Sequence, residues 1–244
     1  EVTGTFTGKR PSFGGSLMRP EATGYGLVYF VQEMLKTREL KLDGLRVAIS
    51  GSGNVAQYAA QKMMELGGKV VTFSDSGGTL HNAAGFTGQQ WQALMNLKNE
   101  RRGRLSELAE LFGLDFHEGK RPWQHACDIA LPCATQNELD EEDARQLLEN
   151  GCFCVAEGAN MPSTLAAVHA FQKTGILYAP GKASNAGGVA CSGFEMIQNS
   201  TRQQWTASEV DIRLHTIMAG IHQSCLRHGK KGENIDYVAG ANIA

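Results

Sequence analysis

Short apolar runs alternating with amphipathic helical stretches predict an α/β fold, a doubly wound, mainly parallel sheet covered by helices on both faces. Two local observations sharpen that prediction. Leu45-Arg-Val-Ala-Ile-Ser50 reads as a short buried strand and runs directly into Gly51-Ser-Gly-Asn-Val-Ala56, where a helical pattern starts. The next strand, residues 69–75, then ends on an acid, Asp75, roughly 20 residues beyond Gly53. Strand, G-x-G-x-x-A turn, helix and acidic strand end make the Rossmann-like pattern that holds a dinucleotide pyrophosphate.

The elements follow in order. Residues 1–20, rich in Gly, Ser, Thr and Pro, read as an extended leading segment. Leu27, Phe30, Val31, Met34 and Leu35 recur with helical spacing. The strand–loop–helix unit occupies 45–66, and the second strand 69–75. Ser76-Gly-Gly-Thr79 reads as a turn, with helical stretches near 87–98 and 104–112 after it. Further strands are expected at 128–131, 153–156 and 176–178, separated by helices near 140–149 and 163–173. Val210, Leu214, Ile217, Met218, Ile221 and Cys225 mark a helical tail over 206–228. No repeat, low-complexity block or linker interrupts the chain, so a single domain over 1–244 is expected.

Composition narrows the function. With 42% hydrophobic and 20% charged residues, the chain reads as an ordinary soluble protein. A net charge of −2 gives no footprint for nucleic acid or an anionic membrane, and no apolar run has the length of a span. The six cysteines form no C-x-x-C pair, which fits reduced thiols and a cytoplasmic location. Cys133, Lys182 and the seven histidines show no partner spacing, and no metal-ligand pattern is legible. The chain opens on Glu1 with no initiator methionine, which reads as a fragment or processed product.

In the glycine loop, Gly51 permits the tight turn, Gly53 removes a side chain that would block the phosphates, and Ala56 lets the helix pack close to the strand. Ser52, Asn54 and Val55 complete the loop, whose free N–H groups lie at the positive end of the helix dipole. A plain strand-to-helix connection, or the first loop of an S-adenosylmethionine enzyme, shares the pattern. At the ribose end, Asp75 taken alone favours NAD, because a carboxylate accepts from a 2′-OH and repels a 2′-phosphate. Ser76 can donate to such a phosphate. The run Lys98-Asn-Glu-Arg-Arg-Gly-Arg104 reads equally well as a phosphate-binding cluster or a solvated helix end.

Five further blocks carry a resemblance: Ser12-Phe-Gly-Gly-Ser16, Arg19-Pro-Glu-Ala-Thr-Gly-Tyr-Gly26, Ala130-Leu-Pro-Cys-Ala-Thr-Gln-Asn-Glu-Leu139, Ala156-Glu-Gly-Ala-Asn-Met-Pro162 and Asn185-Ala-Gly-Gly-Val189. In that order they resemble the hexameric glutamate dehydrogenases, closest to the NADP-specific bacterial type. The resemblance implies a cofactor-binding C-terminal domain whose partner domain, with the catalytic lysine and aspartate, is absent. It also implies that the chain ends before the family's last helix. The whole enzyme would interconvert L-glutamate and 2-oxoglutarate plus ammonia as a homohexamer, whereas this chain would bind cofactor, catalyse nothing and be monomeric.

The resemblance favours NADP(H) over NAD, with Lys98 and Arg101 among the cations around the 2′-phosphate. It places Thr23 and Ala134-Thr135-Gln136 against the nicotinamide, and Asn160 and Asn185 near its ribose and carboxamide. Val189 and Ser192 would line the pocket for the substrate side chain. Plainer roles exist for several of these: Thr23 as a helix cap or first-turn residue, the asparagines as turn residues, Val189 and Ser192 as helix packing. The other rivals are an NAD-specific relative and a free-standing nucleotide sensor.

Overall fold

The computed structural model describes residues 2–232 and 234–244. Its main strands are β1 (Arg46–Ile49), β2 (Lys69–Asp75), β3 (Gly78–His81), β4 (Asp115–Glu118), β5 (Ile129–Leu131), β6 (Cys154–Ala156) and β7 (Leu177–Ala179). They form one seven-stranded sheet in the order β4-β3-β2-β1-β5-β6-β7. From β2 to β7 through β1 all pairings are parallel, while β3 and β4 add an antiparallel edge. The helices are α1 (Ala22–Lys36), α2 (Asn54–Glu65), α3 (Gly88–Asn96), α4 (Leu105–Phe112), α5 (Glu141–Glu149), α6 (Leu165–Thr174), α7 (Gly181–Ser184), α8 (Gly187–Thr201), α9 (Ala207–Gly229) and α10 (Tyr237–Ile243). A small hairpin, β8 (Lys230–Lys231) and β9 (Asn234–Ile235), joins the last two.

The period of two along each strand explains why helices cover both faces. Val47, Ile49, Ile129, Leu131, Cys154, Ala156, Leu177 and Ala179 enter one apolar cluster, with α1, α2, α4 and α9 over it. The alternate residues Ala48, Ala130, Val155 and Tyr178 enter a second cluster with Trp123, Ala144, Leu147, Ala167 and Phe171, which α5 and α6 cover. This is the doubly wound arrangement the sequence predicts. Among the described residues, no helix is long and apolar enough to cross a membrane. All six cysteines are free and buried.

Several elements depart from the sequence reading. The turn expected at 76–79 occupies only 76–77; Gly78 and Thr79 already belong to β3, which pairs with both β2 and β4. β3 (Gly-Thr-Leu-His) and β4 (Asp-Phe-His-Glu) lack the apolar run of the parallel strands, and pairing rather than propensity makes them strands. The helix expected near 87–98 is α-helical to Asn96 and then widens into a π turn, Leu97–Arg101, that ends at Arg102 with φ of 54°. Helix α8 starts on two glycines and ends on Asn-Ser-Thr, so its helical pattern is blurred at both ends.

On α9, His222 is 1% exposed and its Nε2 lies 2.9 Å from the Tyr237 hydroxyl. Burial, with Lys36 opposing Glu33, holds its pKa down at about 4. An unfolded imidazole titrates near 6.5, so the stability contributed by neutral His222 is complete above about pH 6.5 and is lost as the pH falls toward 4. Urea unfolding should therefore lose up to about 3 kcal/mol from this residue across that interval. His222→Phe should flatten the slope; an unchanged slope would show that the residue titrates normally in the folded state.

Candidate cofactor cleft

The chain leaves β1 for β2 on one side, and β5 later pairs with β1 on the other, so the strand order reverses between β1 and β5. Ligands of open α/β sheets bind in the crevice that opens at this point, beyond the strands' carboxyl ends. Here the crevice is a cleft with about 410 Å³ of open space, lined by Gly51, Ser52, Gly53, Asp75, Ser76, Ala134 and Thr135, all expected from sequence. Cys133, Glu138, Lys120 and Arg121 also line it.

Gly51 has φ of +82°, and a Cβ there would sit 3.0 Å from the Cα of Ala134, across the crevice. Its N–H donates to Ser74 Oγ (2.8 Å) and its carbonyl accepts from Ser74 N (3.1 Å), which fixes the turn to the end of β2. Gly53 differs: its backbone is extended, and a Cβ would meet nothing within 4 Å. The chain itself gives no steric reason for glycine there. Gly53 begins α2 with no side-chain cap and no acid in the first turn, leaving the helix's positive end for an anion. Asn54 turns its amide to the carbonyl of Pro20 (2.6 Å). Val55 packs against Gly158 in the loop after β6.

Glu138, which the sequence reading did not select, organises the opposite wall. Its Oε1 accepts from Ser50 Oγ (2.8 Å) and Ala134 N (2.9 Å), while Ser50 Oγ accepts from Cys133 N (2.8 Å). Burial raises its pKa despite those donors. Ala134, Thr135 and Gln136 are left exposed at the cleft rim.

At the ribose end, Asp75 is held inward, its side chain only 8% exposed. Oδ1 accepts from Gly77 N (2.9 Å), and Oδ2 from Lys98 Nζ and Leu105 N (both 3.1 Å). Burial alone would raise its pKa, but these donors outweigh it and hold the carboxyl below its usual value. Lys98 also donates to the carbonyl of Gly103 (2.9 Å), so it locks the π turn to β2. Arg101 turns to Glu107 (2.8 Å). The guanidinium that reaches Ser76 belongs to Arg104, donating to the exposed Ser76 hydroxyl. Lys120, on the turn after β4, adds an exposed ammonium. The resemblance implies Lys98 and Arg101, whereas the π turn and the left-handed Arg102 re-aim the run and bring Arg104 to Ser76. Lys120 could be found only by recognising β4.

The remaining residues gather around α1, α7 and α8. Thr23 is the second residue of α1, in its first turn rather than at its cap, and its hydroxyl lies beside Gly188. Asn185 closes α7 and donates to the carbonyl of Gly158; Asn160 is exposed in the loop after β6. Buried Glu157 orders this region through Tyr178 Oη and Gly181 N (both 2.7 Å). Ser192 is buried, accepting from Arg19 Nε (3.1 Å) and donating to the Gly188 carbonyl (3.2 Å), so Arg19 joins the group. Val189 is 72% exposed on α8.

Among the described residues, His81, His117 and His125 form a cluster able to hold a metal ion, where no ligand spacing is legible along the chain. They come from three separate elements, so no spacing along the chain reveals them.

The Glutamate/Leucine/Phenylalanine/Valine dehydrogenase family model matches residues 14–244. NADP-specific glutamate dehydrogenase of Escherichia coli (strain K12) is 58% identical over 98% of the chain and 54% of its own length. Glutamate dehydrogenase of Bacteroides thetaiotaomicron is 56% identical over all of the chain and 55% of its own length. The crystal structure of Plasmodium falciparum glutamate dehydrogenase superposes with a TM-score of 0.95 at 45% identity, covering 100% of the chain and 53% of that structure. The chain spans about half the length of the curated relatives it matches.

Proposed function

The chain belongs to the glutamate/leucine/phenylalanine/valine dehydrogenase family, and from that premise we propose that it is the cofactor-binding domain, residues 1–244, of an NADP-dependent glutamate dehydrogenase. The whole enzyme interconverts L-glutamate and 2-oxoglutarate plus ammonia. The observation that carries the cofactor choice is Asp75: both of its oxygens are engaged by Gly77, Leu105 and Lys98, so it is withdrawn from a ribose 2′-position. Ser76, Arg104 and Lys120 then present a hydroxyl and two cations to a 2′-phosphate. Names of near relatives, NADP-specific glutamate dehydrogenases, agree.

In this reading the pyrophosphate rests on the uncapped start of α2, with Gly53 leaving room for it. Thr23, Ala134 to Gln136, Asn160 and Asn185 hold the nicotinamide half. The bound nicotinamide supplies hydride transfer to or from the substrate α-carbon. Val189 and Ser192 form one wall of the substrate pocket, with Arg19 ordering the serine hydroxyl. The lysine and aspartate that move protons belong to a further domain, so this chain alone binds cofactor without turnover. Six unpaired cysteines support a cytoplasmic enzyme, and the whole protein is a homohexamer assembled mainly outside this domain.

Calorimetric titration of the 244-residue chain should give NADPH an affinity at least about tenfold above that of NADH. Equal affinities would refute the phosphate site and leave an NAD enzyme. Binding of neither would refute the cleft itself.

A further inference from the structure

His81 ends β3, His117 lies within β4 and His125 follows the short turn Pro122–Gln124. The antiparallel edge of the sheet brings the three imidazoles together, one nitrogen of each within 4.8 Å of the others. The rings of His81 and His125 stack with centroids 4.0 Å apart, and that of His117 lies 4.8 Å from His125. The Nε2 of His117 is buried and has no hydrogen-bond partner, an omission that ordinarily costs about 1–3 kcal/mol. The Asp115 carboxylate lies nearby, 3.7 Å from His81 Nδ1.

We propose that His81, His117 and His125 form a binding site for one borderline divalent cation, Zn²⁺ being the best match. Three imidazoles suit zinc and its first-row neighbours, whereas calcium and magnesium demand oxygen ligands. Zn–N bonds of about 2.0–2.1 Å in tetrahedral array place nitrogens roughly 3.3 Å apart. The imidazoles therefore need to close by at most about 1.5 Å, within reach of side-chain rotation. Water or Asp115 takes the fourth position. The ion would tie β3, β4 and residues 117–125 into one unit. That segment carries Lys120, Arg121 and Pro122 of the cleft wall, so the metal stiffens one side of the cleft. The inference is independent of which nucleotide the cleft holds.

The test is titration of the chelator-stripped 244-residue chain with Zn²⁺ by calorimetry, paralleled by Co²⁺ absorption. One equivalent should bind, with a Co²⁺ ligand-field spectrum free of thiolate charge transfer, and thermal stability should rise with added Zn²⁺. His117→Gln and His125→Gln should each weaken binding at least about tenfold and abolish the thermal shift. Using both variants keeps the test decisive should one fold poorly. Absence of stoichiometric binding overturns the proposal. So does binding that persists in both variants, or a thiolate band that assigns the metal to the cysteines.

Discussion

Gly24→Val is expected to destabilise the domain by about 3 kcal/mol or more, a large share of the ~5–15 kcal/mol available to a folded protein. A Cβ at Gly24 would lie 2.5 Å from Ala59 N and 2.8 Å from the carbonyl carbon of Tyr58, both backbone atoms of α2. No rotamer change relieves a clash with backbone, so α1 and α2 would have to part. On the other side of α1, Gly26 stands against Gly187, where a Cβ would meet the Gly187 Cα at 2.8 Å. Helix α1 is thus wedged between α2 and α8, and the Thr23 hydroxyl, one residue before Gly24, is placed by the same packing. Gly24→Ala gives the sharper sign. At an unencumbered helical position this change stabilises by roughly 0.5–1 kcal/mol, whereas here it should destabilise. A rise in the urea midpoint of Gly24→Ala would refute the close approach.

Arg104→Ala should lower NADPH affinity by roughly 10- to 100-fold, about 1.5–3 kcal/mol for a charge-assisted hydrogen bond to phosphate, and leave NADH nearly untouched. The difference should shrink as salt is added, because Arg104 and Ser76 are both exposed. Arg101→Ala should do much less, since that guanidinium is paired with Glu107. Lys98→Ala also weakens NADPH selectively, by a different route. It removes the cation that pairs with Asp75 and bridges to Gly103, so the carboxylate is freed and the π turn loses its anchor. Thermal melts separate the two, with Lys98→Ala losing stability and Arg104→Ala keeping it. If Arg104→Ala loses NADH and NADPH affinity equally, the residue does not read the 2′-phosphate.

Where the signal was local, the chain was readable. The parallel strands bury both faces and, apart from Arg46 in β1 and the polar residues of β2, read as short apolar runs, and the glycine turn between β1 and α2 depends on backbone conformations that residue types declare directly. β3 pairs with β2, and β4 with β3, and this pairing rather than their mixed polar and apolar sequences makes them strands, so the turn expected at 76–79 is shorter in the fold. Lys120 and the three histidines went unseen for the same reason, since they meet only once those strands are paired.

Sequence by itself determined the α/β class, the glycine turn that opens α2 and the acidic end of β2 at Asp75, followed by Ser76. Those features rest on periodicity and backbone freedom, which neighbours along the chain specify. The tertiary structure alone decided which way Asp75 faces, which arginine meets Ser76, how Glu138 joins the two sides of the crevice and that three histidines converge. Each of these is a contact between elements far apart in the chain, and its geometry follows from how strands pair and helices pack rather than from any local preference.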